Sequence, residues 1–322
     1  MKQKLLVIQG PTSTGKTDLG ILLAQKFNGE IVSADSRQVY KFLDIGTGKS
    51  PGSFKTLEKG ENFWIIDGIK IWMYDVIEPK NRFNLYEYIT RASKIIEEIS
   101  TSGKLPILVG GTGLYIRSLL EGVSDFGTGQ DEILRAELEN LEINEIKKKI
   151  SRLDPEIVKN LNNSELNNKR RLIRLVEKLS GTVKGGSYLG LERNFDVLKI
   201  GLGADRDLLS KRIAERVRKR VDQGMVLEAK DLLDLRILSF QRMLELGLEY
   251  KYLSKLLEGE IKNTDQFIEI LSTKIRQFAK RQMTWFKNEK NTQWFDTGNK
   301  GFSDKVEYKV ANWYNNINEQ KD

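Results

Sequence analysis

The chain contains no cysteine and no histidine. The first absence excludes disulfides, zinc–thiolate sites and a cysteine nucleophile, and it fits a reducing compartment such as the cytoplasm. The second is the tighter constraint. Without imidazole there is no histidine base, no histidine-bound metal and no Ser-His-Asp triad. A proton acceptor working near neutral pH must be a carboxylate, a lysine or the substrate itself. No apolar run reaches the roughly eighteen residues needed to cross a bilayer, and the N-terminus passes straight into a strand, so neither a membrane anchor nor a signal peptide is expected. What the chain does have is length, 322 residues with 39% hydrophobic content, enough for a large core and two domains. It also carries a net charge of +8, which suits a polyanionic partner. A monomer is the simplest state.

The first 120 residues alternate strand and helix. Lys4–Gln9 and Glu30–Ala34 read as buried strands and Lys16–Phe27 as a helix. Ile65–Ile66 and Ile71–Val76 are short β-like runs, Leu85–Ser100 carries a helical stripe, and Leu105–Val109 is a further uninterrupted β-run. Runs apolar on both faces are what parallel strands require. The expected class is therefore α/β, with an open parallel sheet. From Val123 the character changes to short helices. Two of them should meet near Asn144, and Asp154-Pro155 reads as a cap followed by proline at the first helical position. Residues 181–186 read as a flexible connector. Phe195–Leu202 returns to a β-run, and a helix opens at Asp205. The expected organisation is a core of residues 1–122 and 196–322, interrupted by a helical insertion at 123–195.

The chemistry begins at Gly10-Pro11-Thr12-Ser13-Thr14-Gly15-Lys16-Thr17, which follows the strand residues Leu5–Ile8. It fits G-x-x-x-x-G-K-[ST] between a strand and a helix. The glycines let backbone N–H groups turn toward an anion, and the helix adds its positive end. Lys16 reaches phosphate oxygens and Thr17 offers a hydroxyl to Mg²⁺. The loop alone equally permits binding of a nucleotide such as ATP. Asp35 leaves the second strand in Ser33-Ala34-Asp35-Ser36-Arg37-Gln38, at the sheet edge where ligands bind. Gly110-Gly111-Thr112-Gly113 leaves the strand ending at Val109 at the same edge. Three basic helical faces follow. Arg170, Arg171 and Arg174 share one side of a helix whose Leu172 can pack inward. Lys211–Arg220 holds six basic residues in ten, and Ile275–Lys287 presents Arg276, Lys280 and Lys287 beside an apolar stripe at 275, 278, 279, 283 and 286. Together they favour binding of a phosphate backbone.

In this order the motifs resemble the bacterial tRNA dimethylallyltransferases. The matching stretches are Gly10–Thr17, Ser33–Tyr40 with Asp44-Ile45-Gly46-Thr47, Gly110–Tyr115 continuing to Leu119–Gly122, Leu153–Pro155, Arg170–Glu177, and the helix Arg276–Phe286 containing Lys280, Arg281 and Trp285. They span nearly the whole chain. The resemblance implies a P-loop-like core with Mg²⁺ as cofactor. The activity would be transfer of a dimethylallyl group from dimethylallyl diphosphate to N6 of adenine 37, in the anticodon stem-loop of tRNA. It implies that the phosphate loop holds the donor's diphosphate, with Arg212 or Arg216 reaching it. Asp35 would accept the N6 proton, with Lys16 and Thr112 also in the catalytic set. Ser36, Arg37 and Gln38 would surround the base. Arg135, the stretch Arg170–Arg174 with Leu172 and Ile173 in it, Arg276, Lys280 and Arg281 would contact tRNA.

Three stretches depart from that pattern. Ile71 and Trp72 stand where relatives carry paired histidines, Gly247-Leu248-Glu249-Tyr250 replaces a Gly-Tyr-Arg/Lys-Glu stretch, and residues 125–130 lack the usual prolines. Two other activities fit parts of the chain. Prenyl transfer to free adenine nucleotides needs the core but neither the insertion nor the basic Arg276–Lys287 face. A phosphotransferase needs only the loop and a nucleoside triphosphate.

Overall fold

A computed structural model describes residues 2–50, 56–127, 131–181 and 185–315. The chain forms two compact units, Glu121–Gly190 and the remainder on either side of it.

The larger unit is built on an eight-stranded sheet. Its strands are β1 (Gln3–Gln9), β2 (Gly29–Ala34), β3 (Leu57–Gly60), β4 (Phe63–Ile66), β5 (Ile69–Trp72), β6 (Leu105–Gly110), β9 (Phe195–Gly203) and β10 (Thr292–Asp296), in spatial order β10-β9-β1-β6-β2-β5-β4-β3. The six strands from β10 to β5 are parallel, and β5-β4-β3 is an antiparallel ribbon. The sheet is thus mostly rather than wholly parallel. The run expected at Ile71–Val76 stops at Trp72, because Met73 and Asp75 take φ of 69° and 56° and break the strand. The antiparallel turn is made by Asp67-Gly68, both at positive φ (51° and 80°), the twist-matched geometry of a two-residue hairpin. The central strands β1, β2 and β6 are almost wholly buried, as their unbroken apolar runs require.

Helices α1 (Lys16–Lys26), α2 (Leu85–Thr101) and α3 (Gly113–Glu121) connect the early strands. Asn84 caps α2 in a reciprocal box with Glu87. The smaller unit comprises the ribbon β7 (Val123–Phe126) and β8 (Gly186–Tyr188) with helices α4 (Glu132–Glu139), α5 (Ile143–Leu153), α6 (Pro155–Asn160), α7 (Asn163–Leu166) and α8 (Lys169–Leu179). Its own core is Leu138, Ile146, Ile150, Leu172, Ile173 and Val176. Asp154 accepts from the amides of Glu156 and Ile157 and Pro155 opens α6. The connector expected at 181–186 ends in strand β8, while residues 182–184, like 128–130 of the proline-poor stretch, lie outside the described residues. From Leu191 the chain belongs to the larger unit again. There α9 (Arg206–Asp222), α10 (Met225–Asp234), α11 (Phe240–Leu246), α12 (Leu248–Leu257), α13 (Thr264–Phe286) and α14 (Phe302–Tyr314) complete it, with α13 packed on α9 and α12.

Candidate active site

Sheet register brings three loops level. Gln9 at the end of β1 lies beside Gly110 of β6, and Gly110 lies beside Ala34 of β2. The next residues, Gly10, Gly111 and Asp35, therefore leave adjacent parallel strands at one height and one edge, where an open α/β sheet binds its ligand. Gly10 adopts φ 143°, and a Cβ there would overlap the Leu202 carbonyl oxygen, so only glycine lets the loop leave the sheet this way. Within the loop, the Pro11 carbonyl accepts from Lys16 Nζ (2.6 Å) and Thr14 Oγ1 (3.0 Å). Ser13 Oγ is buried without a protein partner among the described residues. Helix α1 starts at Lys16 behind Gly15 and directs its positive end at the loop.

Two arginines of α9 face this loop. Arg216 donates to Thr12 Oγ1 (3.3 Å) and the Gly48 carbonyl (3.4 Å), and Arg220 donates to the Gly46 carbonyl (3.3 Å). The 44–49 loop that supplies those carbonyls is itself held from beneath. Glu228 accepts the amides of Asp44, Ile45 and Gly46 and the Tyr250 hydroxyl (2.7–3.0 Å). The fully buried Lys49 ties Asp44 to Asp75 and to the Tyr40 carbonyl. Gly48, at φ 64°, leaves room that a Cβ would take from both guanidinium groups. The result is a buried concentration of positive charge. Burial, and then the neighbouring Arg216, lower Lys16 to about 7 against an opposing pull from Asp35. Burial and Arg216 bring Arg220 down to about 9, and burial lowers Arg216 as well. A site that strains to keep its cations charged is built for an anion that restores them.

On the other side of the loop, Asp35 accepts from the Arg37 amide through Oδ1 (2.9 Å), and Thr112 Oγ1 accepts from the Ser36 amide (3.1 Å). Gln38 is buried between the Ser33 hydroxyl and the Gly48 carbonyl. A cavity of about 320 Å³ is lined by Thr12, Lys16, Thr17, Asp35, Ser36, Arg37, Gln38, Thr112, Arg216, Arg220 and Glu249, with Phe278, Arg281, Gln282 and Trp285 contributed by α13. A second cavity of about 640 Å³ is lined by Ser13–Asp18, Arg212, Arg216, Lys219 and Arg220. Lys16, Thr17, Arg216 and Arg220 line both. One cavity thus offers a carboxylate and the other a phosphate cradle, with shared cations between them.

The structure sorts the remaining residues singled out from the sequence. Arg212 faces the second cavity but spends its guanidinium on the side chain and carbonyl of Thr297. Arg276 and Lys280 are exposed on α13. In the smaller unit Arg170 and Arg171 are exposed, whereas Arg135 and Arg174 both bind the buried Glu177. Leu172 and Ile173 are a correction: at 1% and 3% exposure they are core residues of that unit and offer tRNA no side-chain surface. Phe278 is a second correction, because it leaves the core stripe and lines the cavity, with Arg37 5.6 Å from its ring centre. Its place inside is taken by Gln282, which accepts from the Thr12 amide and donates to the Gly111 carbonyl, both at 2.9 Å. Sequence reading assigned Gln282 no role. The signal was a polar residue four positions before Phe286 and three after Ala279, squarely on a buried face. Glu228, Lys49 and Arg220 carried no comparable signal, because each acts through a partner distant in sequence. Ile71 is core and Trp72 donates to Glu30 (2.6 Å) away from the cavity. By contrast Leu248 and Glu249 line it.

A P-loop on a mostly parallel sheet, buried cations around it and a carboxylate across the same cavity define a P-loop protein with a site suited to an anionic ligand. Residues 38–289 match the IPP transferase family. The chain is 36% identical to the tRNA dimethylallyltransferase of Carboxydothermus hydrogenoformans, over 92% of this chain and 93% of that one, and 39% identical to that of Staphylococcus haemolyticus, over 92% and 87%. The crystal structure of a tRNA isopentenylpyrophosphate transferase from Bacillus halodurans superposes with a TM-score of 0.68 at 32% identity, covering 98% of this chain and 96% of that one. A eukaryotic dimethylallyltransferase acting on tRNA shares the fold, with a TM-score of 0.77 at 24% identity over 99% and 81% of the two chains. The chain belongs to the IPP transferase family.

Proposed function

We propose that this enzyme transfers the dimethylallyl group of dimethylallyl diphosphate to N6 of adenine 37 in tRNA. The observation that carries the reading is the placement of Asp35 and the P-loop lysine on one cavity wall set. An adenine amino group is a weak nucleophile, its lone pair being drawn into the ring. N6 attacks the allylic carbon, the carbon–oxygen bond to diphosphate breaks, and the N6 proton passes to Asp35. Charge builds on the departing diphosphate, where Lys16, Arg216, Arg220 and the loop amides stabilise it. The target base leaves its stack to enter the cavity, beside Ser36, Arg37, Gln38 and Thr112. Exposed Arg170, Arg171, Arg276, Lys280 and Arg281 neutralise tRNA phosphates.

Mg²⁺ fits the same site. The Thr17 hydroxyl lines both cavities and has no hydrogen-bond partner among the described residues, and the orphaned Ser13 hydroxyl is available to a phosphate oxygen. No group of three or more acidic or other metal-ligating side chains occurs among the described residues. Thr17 would therefore be the protein's ligand, with diphosphate oxygens and water completing the shell. Bound there, the ion supplies neutralisation of the diphosphate.

Labelled dimethylallyl diphosphate incubated with unmodified tRNA, AMP, ADP and ATP tests the proposal. Label on tRNA alone is expected. Label on free nucleotides alone would transfer the enzyme to the nucleotide-prenylating class, and ATP turnover without prenyl uptake would make it a phosphotransferase.

A further inference from the structure

Between the acceptor cavity and the phosphate cradle sits a carboxylate that the reaction itself leaves unused. Glu249 has a side chain only 9% exposed, and its two oxygens go to different arginines. One is bonded to Arg37 Nη1, and the other lies 3.5 Å from Arg220 Nη1. Arg37 lines only the cavity holding Asp35, whereas Arg220 lines both. The backbone is shaped to deliver the carboxylate there. Gly247 and Leu248 take φ of 72° and 39°, an unfavourable conformation for leucine that tends to persist at functional sites. It starts helix α12 so that Glu249 falls in the first turn, where the helix favours negative charge.

We infer that Glu249 is a positioning residue that anchors Arg37 for the tRNA base and offsets Arg220 beside the diphosphate, so that it sets the two substrate affinities in opposite directions. The inference rests on the function proposed above for the naming of the substrates. The charge inventory requires such a residue. Lys16, Arg37, Arg216, Arg220 and Arg281 line the first cavity against two carboxylates, Asp35 and Glu249, and Asp35 is reserved for the acceptor. Arg37, stacked near Phe278, keeps its place through Glu249. Without that carboxylate Arg37 loses its orientation while the cradle becomes more positive.

Glu249→Gln keeps the shape and removes the charge. Inorganic diphosphate should then bind on the order of tenfold more tightly by calorimetry, while the KM for tRNA rises by about the same factor. A residue with a purely structural role would weaken both. Arg37→Gln should raise the KM for tRNA similarly, and the double variant should be no worse than either single one. Arg37→Gln also tests the coupling on its own should Glu249→Gln fold poorly. Freed from Arg37, Glu249 neutralises Arg220 more fully, and diphosphate should bind several-fold more weakly. Additive tRNA effects would overturn the assignment, as would a diphosphate affinity that stays unchanged in Arg37→Gln, or that is unchanged or weaker in a Glu249→Gln protein of normal melting temperature. The diphosphate arms need no tRNA, so they judge Glu249 even if the wild-type enzyme proved not to prenylate tRNA.

Discussion

At Asp35 one carboxylate oxygen is committed to the Arg37 amide, and the other has no protein donor among the described residues. The side chain is held in place yet keeps an acceptor for a substrate proton. Asp35→Ala should leave tRNA affinity within a few-fold and lower turnover by roughly 10²–10⁴. Asp35→Asn should do the same, because an amide holds the geometry without taking a proton. Unchanged single-turnover rates would remove Asp35 from the chemistry. Lys16 makes a different kind of prediction. Burial, and then Arg216, push its ammonium down to about 7 from the ordinary 10.5. The unfolded chain therefore holds this proton more tightly than the folded one between those values. Folding stability from this group rises as pH rises from about 7 toward 10.5. Bound diphosphate should raise the lysine back toward its ordinary value and abolish that gain. The ¹³Cε shifts of labelled lysines, with Lys16 assigned by Lys16→Arg, would show the move, and a titration midpoint indifferent to diphosphate would contradict it.

Two helices carry testable roles as elements. Helix α13 reaches the active site through Gln282, whose amide joins the Thr12 amide to the Gly111 carbonyl and so ties two catalytic loops to one rigid support. Gln282→Ala should lower kcat by about 10²-fold, the usual cost of misplacing reacting groups by an ångström, with tRNA affinity nearly unchanged. A fall in affinity alone, at constant kcat, would place Gln282 in tRNA binding instead. Helix α8 shows the opposite division of labour. Its Leu172, Ile173 and Val176 build the core while Arg170 and Arg171 face solvent. If Arg171 neutralises a tRNA phosphate, Arg171→Ala weakens binding and reduces the slope of log affinity against log salt by about 1. A wild-type slope would take Arg171 out of the interface.

At the scale of the molecule, the two units have separate cores and should fail separately. The smaller is secured by Glu177, fully buried and bonded to Arg135 (2.7 and 3.2 Å), Arg174 (3.0 Å) and the Asp131 amide (3.2 Å). Burial pushes the Glu177 pKa up, but the bonds from Arg135 and Arg174 outweigh it and leave the pKa lowered from its ordinary 4.5. Its contribution to stability is accordingly complete above that value and is lost as pH falls through the lowered one. Glu177→Ala strands two arginines and should cost about 3 kcal/mol. Hydrogen exchange should accelerate in α4–α8, and inorganic diphosphate should bind to the larger unit as before. Protection lost equally in both units would show that they unfold as one.

How much of this was legible in the chain follows the reach of each interaction. The P-loop, Asp35, the Thr112 turn, the α/β class and the helical character of the middle segment depend on neighbours within a few residues, or on a repeat along one element. The amino-acid sequence determines them by itself. The antiparallel ribbon was not read from the chain, which was expected to form a parallel sheet, although the Asp67-Gly68 turn that makes it is local. Glu228 beneath the 44–49 loop, Gln282 between two catalytic loops, and Glu249 between Arg37 and Arg220 were decided only when β1, β6 and β2 came into register and α9, α12 and α13 closed over them. Those contacts join residues tens to hundreds of positions apart, and a carboxylate, amide or guanidinium acquires its role from the charge it meets there and the water it loses.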